Sequence, residues 1–192
     1  ILNNIAQKFA SSNYDLVLAI ATPSAQAMAA ATSEIPILIT AVTDPVAAKL
    51  VNSMEKPGTN VTGTTDMNPI DEQFDLLLKL VPNAKNVGVI YNAGEINSQV
   101  QVDIAKEIAA ERGLKIVEAV VSNSSEVLQA TQSLDGKVDV IYVPTDNTVV
   151  SAADSVVQAA NKMKIPIISG ESSVVDAGGL GTVGIKYKNL GA

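Results

Sequence analysis

Five clusters of hydroxyl, amide and carboxylate residues each follow directly on a short apolar run. They are Thr22-Pro23-Ser24, Thr40-Ala41-Val42-Thr43-Asp44-Pro45, Tyr91 to Ser98, Pro144 to Thr148, and Gly170-Glu171-Ser172. In open parallel sheets, ligands bind just beyond the carboxyl ends of the strands, so these clusters are the places to look for chemistry. Thr22 suits a helix N-cap and Pro23 the first helical position, and the helix that follows is built of small residues. Small side chains let a ligand approach free backbone N–H groups, and a helix start carries roughly half a positive charge. A carboxylate or phosphate fits there, with the Thr22 and Ser24 hydroxyls as added donors. The plainer alternative is that Thr22 only caps its own helix.

Thr145, Asp146 and Asn147 also open a helix. Either Asp146 or Asn147 is its N-cap, or Asp146 is an acceptor for a ligand ammonium group. A helix start facing a carboxylate would suit a zwitterion, that is, an amino acid held at both charged ends. Tyr91 and Asn92 close a buried strand. Tyr91 is either a ligand contact, through its ring or hydroxyl, or ordinary core. Glu95 and Asn97 are either ligand contacts or helix-leading loop residues, and Glu171 is a second candidate for the ammonium partner. Asp44 precedes Pro45, and the residue before proline is pushed extended, so a turn-shaping role competes with a binding one.

The elements that must position these clusters alternate. Apolar runs predict strands at Asp15–Ala21, Ile35–Val42, Asn86–Asn92, Leu114–Val121, Val138–Val143, Ile165–Ser169 and Leu180–Ile185. Their near-continuous hydrophobicity is that of parallel strands covered on both faces. Helical stripes lie between most of them: Phe74, Leu77, Leu78 and Val81, with Asn68 as N-cap and Pro69 at the first helical position; Val100, Ile104, Ala105, Ile108 and Ala109, ended by Gly113; Val127, Leu128, Thr131 and Leu134, with Gly136 after them; and one helix carrying Val149 to Met163. Ile1, Leu2, Ile5 and Phe9 predict a first helix. This order predicts an α/β fold of two Rossmann-like, parallel-sheet lobes with right-handed crossovers. The turn-rich segment 56–66 reads as a crossing strand between lobes, and Ser172–Gly179 as a second crossing. The expected division is a partial first lobe at 1–65, a second lobe at 66–178 and a return at 179–192.

Composition excludes several functions. The 192 residues carry 13 Lys+Arg against 20 Asp+Glu, a formal charge of −7 that argues against a nucleic-acid partner. The chain has no His and no Cys, so it holds no Ser-His-Asp or Cys-His apparatus, no imidazole or thiolate metal ligand and no disulfide. No apolar run approaches a membrane span of about 18 residues. Gly179, Gly181 and Gly184 match the dinucleotide glycine fingerprint, but they sit inside an expected strand instead of leading from a strand into a helix. No cofactor is implied. Asn60-Val-Thr62 and Asn123-Ser-Ser125 match glycan acceptors, which mean something only in a eukaryotic secretory chain. With no initiating Met and an abrupt finish, the sequence reads as an internal piece of a longer chain.

Ala21 to Ala27, Ile35-Pro36-Ile37, Thr40 to Pro45, Lys56 to Gly63, Pro82 to Lys85, Val89 to Asn92, Tyr142 to Thr148 and Ile165-Pro166 together resemble the bacterial ABC-transporter substrate-binding protein family whose characterised members bind tryptophan or phenylalanine. The resemblance spreads in order over the whole chain. It implies a type I periplasmic-binding fold, truncated here at both ends, whose two lobes close on an amino acid and whose closed form docks on a permease with its ATPase. It also implies an extracytoplasmic location, periplasmic or as a cell-surface lipoprotein, with membrane contact only through an anchor outside this chain. The family's carboxylate-binding helix start matches Thr22 and Ser24, and its polar contacts fall on Thr43, Asp44, Asn92, Asn97 and Asp146. The function expected is that of a non-enzymatic solute receptor. The ligand-sensing module of a transcriptional regulator or receptor kinase is the alternative, and an enzyme resting on carboxylates or Lys is a third.

Overall fold

The computed structural model describes residues 1–190. It divides the chain into two compact units, Ile1–Met67 with the segment from Lys186, and Asn68–Ile185. In the first unit, α1 (Leu2–Ala10) precedes β1 (Val17–Ile20), α2 (Thr22–Ala31), β2 (Ile37–Val42) and β3 (Val61–Thr65). The three strands form one parallel sheet in the order β1-β2-β3. Thus the segment read as a crossing strand is first a sheet strand of this unit. Its backbone lies so close to β2 that a Cβ on Gly63 would stand 2.0 Å from the Ile39 carbonyl oxygen; only glycine fits. Between Ile39 and Val42 the register slips by one residue, with Ala41 at φ 54°. This bulge turns the end of β2. Val17, Ala19, Ile37 and Ile39 are buried with Ala25 and Met28 of α2, while Leu18 and Ile20 stay more than half exposed.

The second unit runs α3 (Ile70–Leu80), β4 (Asn86–Asn92), α4 (Ile96–Glu111), β5 (Lys115–Val121), α5 (Val127–Gln132), β6 (Val140–Val143), α6 (Asn147–Val150), α7 (Ala153–Met163), β7 (Ile167–Ser169), α8 (Ser172–Asp176) and β8 (Gly181–Thr182). A last short helix, α9 (Tyr187–Leu190), belongs to the first unit. The sheet is parallel throughout, in the order β5-β4-β6-β7-β8. Strand periodicity splits the core in two. Val87, Val89 and Tyr91 face one layer with Phe74 and Leu77 of α3 and Val102 and Ala105 of α4. Ile90 faces the other with Val127 of α5, Val156, Val157 and Ala160 of α7 and Val174 of α8. This doubly wound arrangement explains why the strands read as continuous apolar runs.

Several boundaries differ from the sequence reading. Asn68 does not cap α3: Pro69 occupies the N-cap, no side chain caps the helix, and the Asn68 side chain donates to the Thr145 hydroxyl. The single helix expected from Val149 to Met163 breaks at Ser151–Ala152, because Asp146 starts one short helix and a second begins at Ala153. Ser172–Gly179 is not a crossing. It holds α8 and the turn after it, and the strand expected over Leu180–Ile185 pairs with β7 only at Gly181–Thr182. The chain therefore rejoins the first unit at Lys186, later than the 179–192 return expected, and leaves it after Met67 instead of Thr65. Apolar composition cannot tell a short edge strand from a crossing one; pairing decides it.

Candidate functional site

In the first unit, the site candidates collect where β1, β2 and β3 end. Thr22 is not the N-cap of α2. Ala21 takes that place, at φ 72° and ψ 152°, and no side chain caps the helix. A non-glycine residue in that region is strained by about 1–3 kcal/mol. Thr22 becomes the first helical residue, 2% exposed, and Pro23 the second. Only Pro23 lacks an N–H, so the Thr22 and Ser24 amides are first-turn donors without intrahelical partners. The displacement by one residue thus leaves the helix start uncapped. Ser24 also borders an apolar cavity of about 250 Å³ lined by Leu2, Ile5 and Phe9 of α1 and by Leu18 and Ile20 of β1.

Thr43 is buried beyond the end of β2, and its carbonyl accepts the Thr65 hydroxyl at 2.6 Å. Asp44 has the turn-shaping role weighed for it: Oδ1 accepts the Val46 and Ala47 amides, both at 2.9 Å. Asp66, which the sequence reading did not single out, follows β3. It is 2% exposed; Oδ2 accepts the Tyr187 hydroxyl at 2.9 Å, and Oδ1 has no hydrogen-bond donor among the described residues. Burial pushes its carboxyl above the ordinary aspartate value, against the pull of Tyr187, its own backbone N–H and Thr43.

In the second unit, the candidates meet at the topological switch. From β4 the chain winds to β5 on one side, then crosses to β6 on the other, so the ends of β4 and β6 flank a crevice. Asp146 sits there, fully buried, as the N-cap of α6. Oδ1 accepts the Val149 amide at 2.8 Å; Oδ2 accepts the Asn92 amide at 2.7 Å and the Ser98 hydroxyl at 2.6 Å. Three of its roughly four acceptor positions are spent inside the unit. This is the capping role, and it leaves the carboxylate enclosed.

Glu95 completes the same knot. Its carboxylate receives five donors: the Asn147 amide and side chain, the Thr148 amide and hydroxyl, and the Asn97 side chain. Burial alone would raise its carboxyl; these donors outweigh burial and hold it below the ordinary glutamate value. Asp146 moves the other way, raised first by burial and also by the nearby Glu95 charge.

The other candidates fall around this knot. The Asn92 side chain donates to Thr148 at 2.9 Å and accepts the Gly94 amide at 2.8 Å. The Thr145 carbonyl accepts from Asn97 at 3.1 Å and from Gln101 at 3.2 Å. Asn97 is 3% exposed, and its Oδ1 has no donor among the described residues. Asn147 is exposed, and Glu171 is the half-buried N-cap of α8. Tyr91 is not part of the knot. It lies in the core beneath α4 and donates to Glu118 at 2.6 Å, and Lys106 holds Glu118 from α4 at 3.0 Å. Burial, with Glu118 beside it, pushes the Tyr91 hydroxyl up to about 12.

The sequence reading passed over Gln73, Gln101 and Asp66, and gave Glu95 no firm role. A signal existed for two of them. Gln73 falls on the Ile70, Phe74, Leu77 stripe, and Gln101 on the Asn97, Ala105 stripe, so each is a polar residue in a buried register. Both are fully buried. Gln73 accepts the Tyr142 hydroxyl at 2.6 Å and donates to the Val183 carbonyl at 2.7 Å. Among the described residues no group of three acidic side chains is arranged to hold a metal ion, and no helix is long and apolar enough to cross a membrane.

Two parallel sheets with polar residues gathered at their carboxyl ends make a type I periplasmic-binding fold. The model of the ABC transporter substrate binding protein family matches residues 1–192, and the chain belongs to that family. A tyrosine-binding protein of Clostridioides difficile (strain R20291) is 53% identical over 188 residues, covering 98% of this chain and 54% of the relative. A conserved domain protein of Vibrio cholerae has a solved structure that superposes with a TM-score of 0.97 at 44% identity, over 99% of this chain and 64% of that one. The ABC domain from Streptococcus pneumonia, solved in complex with L-Trp, superposes with a TM-score of 0.96 at 38% identity, over 99% and 66%. The chain spans about half the length of the curated relative.

Proposed function

We propose that this chain is the amino-acid-recognising part of an extracytoplasmic solute receptor that serves an ABC permease and its ATPase and performs no catalysis. The ligand is an aromatic L-amino acid. The observation that carries this reading is the start of α2 at the end of β1, where no side-chain cap takes the first-turn amides of Thr22 and Ser24. A carboxylate is the ligand group that such a start favours, by charge and by geometry. The bound L-Trp of the pneumococcal domain and the tyrosine binding of the Clostridioides relative support the aromatic class. In the second unit, the buried Asn97 Oδ1 is an acceptor without a donor among the described residues. Contact with a membrane falls to an anchor outside these residues, and nucleic acid is not a partner of so acidic a chain.

Isothermal titration against the twenty amino acids tests this. Stoichiometric binding of L-tyrosine or L-tryptophan, weakened severalfold by Ser24→Ala, is expected; binding of none of the twenty removes the reading.

A further inference from the structure

We propose that Asp66 is the acceptor for the ligand's ammonium group, through its Oδ1 atom. The inference rests on the receptor function above and names a residue for it. Asp66 is held rigidly. Its backbone N–H donates to the Val42 carbonyl at 3.1 Å, which fixes it beside the end of β2, and Oδ2 is occupied by Tyr187 at 2.9 Å. Oδ1 has no hydrogen-bond donor among the described residues, although Asp66 is only 2% exposed. A buried carboxylate oxygen left without a donor is destabilising. Such an oxygen favours a partner that brings a donor. The ion pairs found among the described residues use Lys106 and Arg112 with Asp103, Glu118, Asp71 and Asp75, all in the other unit. Among the described residues no lysine or arginine pairs with Asp66, which leaves Oδ1 open to a donor that a ligand brings.

The type of donor follows from the surroundings. The neighbours are hydroxyls, Tyr187 and Thr43, with no second carboxylate among them. One carboxylate oxygen does not make a metal site, which needs several ligands, but it suits a single ammonium group. Spacing agrees. Asp66 follows β3 and the start of α2 follows β1, with β2 as the strand that separates them. Two strand spacings are about 9.6 Å. An α-amino acid places its nitrogen about 3 Å from its carboxylate oxygens. A hydrogen bond of roughly 2.8 Å at each end brings the span to about 8–9 Å. A zwitterion seated on the α2 start therefore presents its ammonium group near Asp66. Asp146, the other acid considered for this role, already has three donors.

The test is isothermal titration of the chain with L-tyrosine and L-tryptophan, set against 3-(4-hydroxyphenyl)propionate and indole-3-propionate, which lack only the amino group. The unaltered protein should prefer the amino acid by about 10- to 100-fold, the range of a charge-assisted hydrogen bond. Asp66→Asn should erase that preference and leave the analogue's affinity unchanged. Tyr187→Phe, which keeps the carboxylate, should retain the preference. Unaltered amino-acid affinity in Asp66→Asn overturns the proposal, and so does parallel loss of both probes, which would mark a structural role. If Asp66→Asn does not fold, the other two proteins still decide. No preference in the unaltered protein, or its full loss in Tyr187→Phe, overturns it. Failure of the unaltered protein to bind any amino acid instead removes the receptor reading itself.

Discussion

The carboxyl ends of the two sheets are built on opposite terms. In the first unit they are left open: α2 begins without a side-chain cap, Ala21 holds a strained backbone, and Asp66 keeps an oxygen with no donor. In the second unit the ends of β4 and β6 are tied shut, since Asp146 and Glu95 between them accept eight hydrogen bonds from within their own unit. Polar residues at a strand end thus serve two purposes that composition does not separate. A carboxylate saturated by its own chain rigidifies a frame. Unsatisfied groups hold free energy that a ligand can release.

The comparison can be broken most forcefully at Asp146. Asp146→Ala strands the Asn92, Ser98 and Val149 donors and should lower the unfolding free energy by about 3 kcal/mol. Urea titration followed by circular dichroism measures it. A variant of unchanged stability that loses only ligand affinity would show instead that Asp146 belongs to the open kind.

Glu95→Gln should remove about 2 kcal/mol at neutral pH, the scale of hydrogen bonds to a charged group. The sign of its pH dependence is fixed by the lowered carboxyl. That stability is present above the ordinary glutamate value of 4.5 and is lost as pH falls through the lower folded value. The urea midpoints of the two proteins should therefore converge in acid. Asp66→Asn should show the opposite sign. A raised aspartate contributes its stability below 3.8 and loses it as pH rises through the higher folded value. The variant should consequently gain on the unaltered protein toward neutral pH. Equal slopes for the two variants would contradict the contrast between the units.

At the open end, Ala21→Gly should raise stability by about 1 kcal/mol, because glycine adopts φ 72° without the Cβ penalty. Thermal unfolding reads this, and a loss of stability would mean that Ala21 is not strained. An effect of similar size belongs to Tyr91→Phe, which removes the hydrogen bond to Glu118 and should cost about 1 kcal/mol. Amino-acid affinity should not change, since the hydroxyl faces α4. A tenfold loss in titration would return Tyr91 to the ligand surface.

Much of this molecule was legible in its residues. Strand β4 matches the expected Asn86–Asn92 at both ends, because a buried parallel strand needs apolar side chains on both faces and leaves an unmistakable run. The α4 stripe stops before Gly113, whose φ of 69° is the conformation a helix-ending glycine supplies. Caps were less legible. Thr22 and Asn68 have the right side chains to cap the helices after them, yet Thr22 is drawn into the first turn and Asn68 toward Thr145. Local chemistry offers a cap; packing decides whether the side chain has a better partner.

Residue types and their spacing were enough for the α/β class, the parallel strands, the polar strand ends and the family, since hydrophobic period and residue type act over a few neighbours. Which acid is spent and which is open was settled by packing. Asp146 and Asp66 are alike as residues. Their difference lies in donors brought from 54 positions away at Asn92 and 121 positions away at Tyr187, and hydrogen bonding over such separations exists only once the sheets have formed.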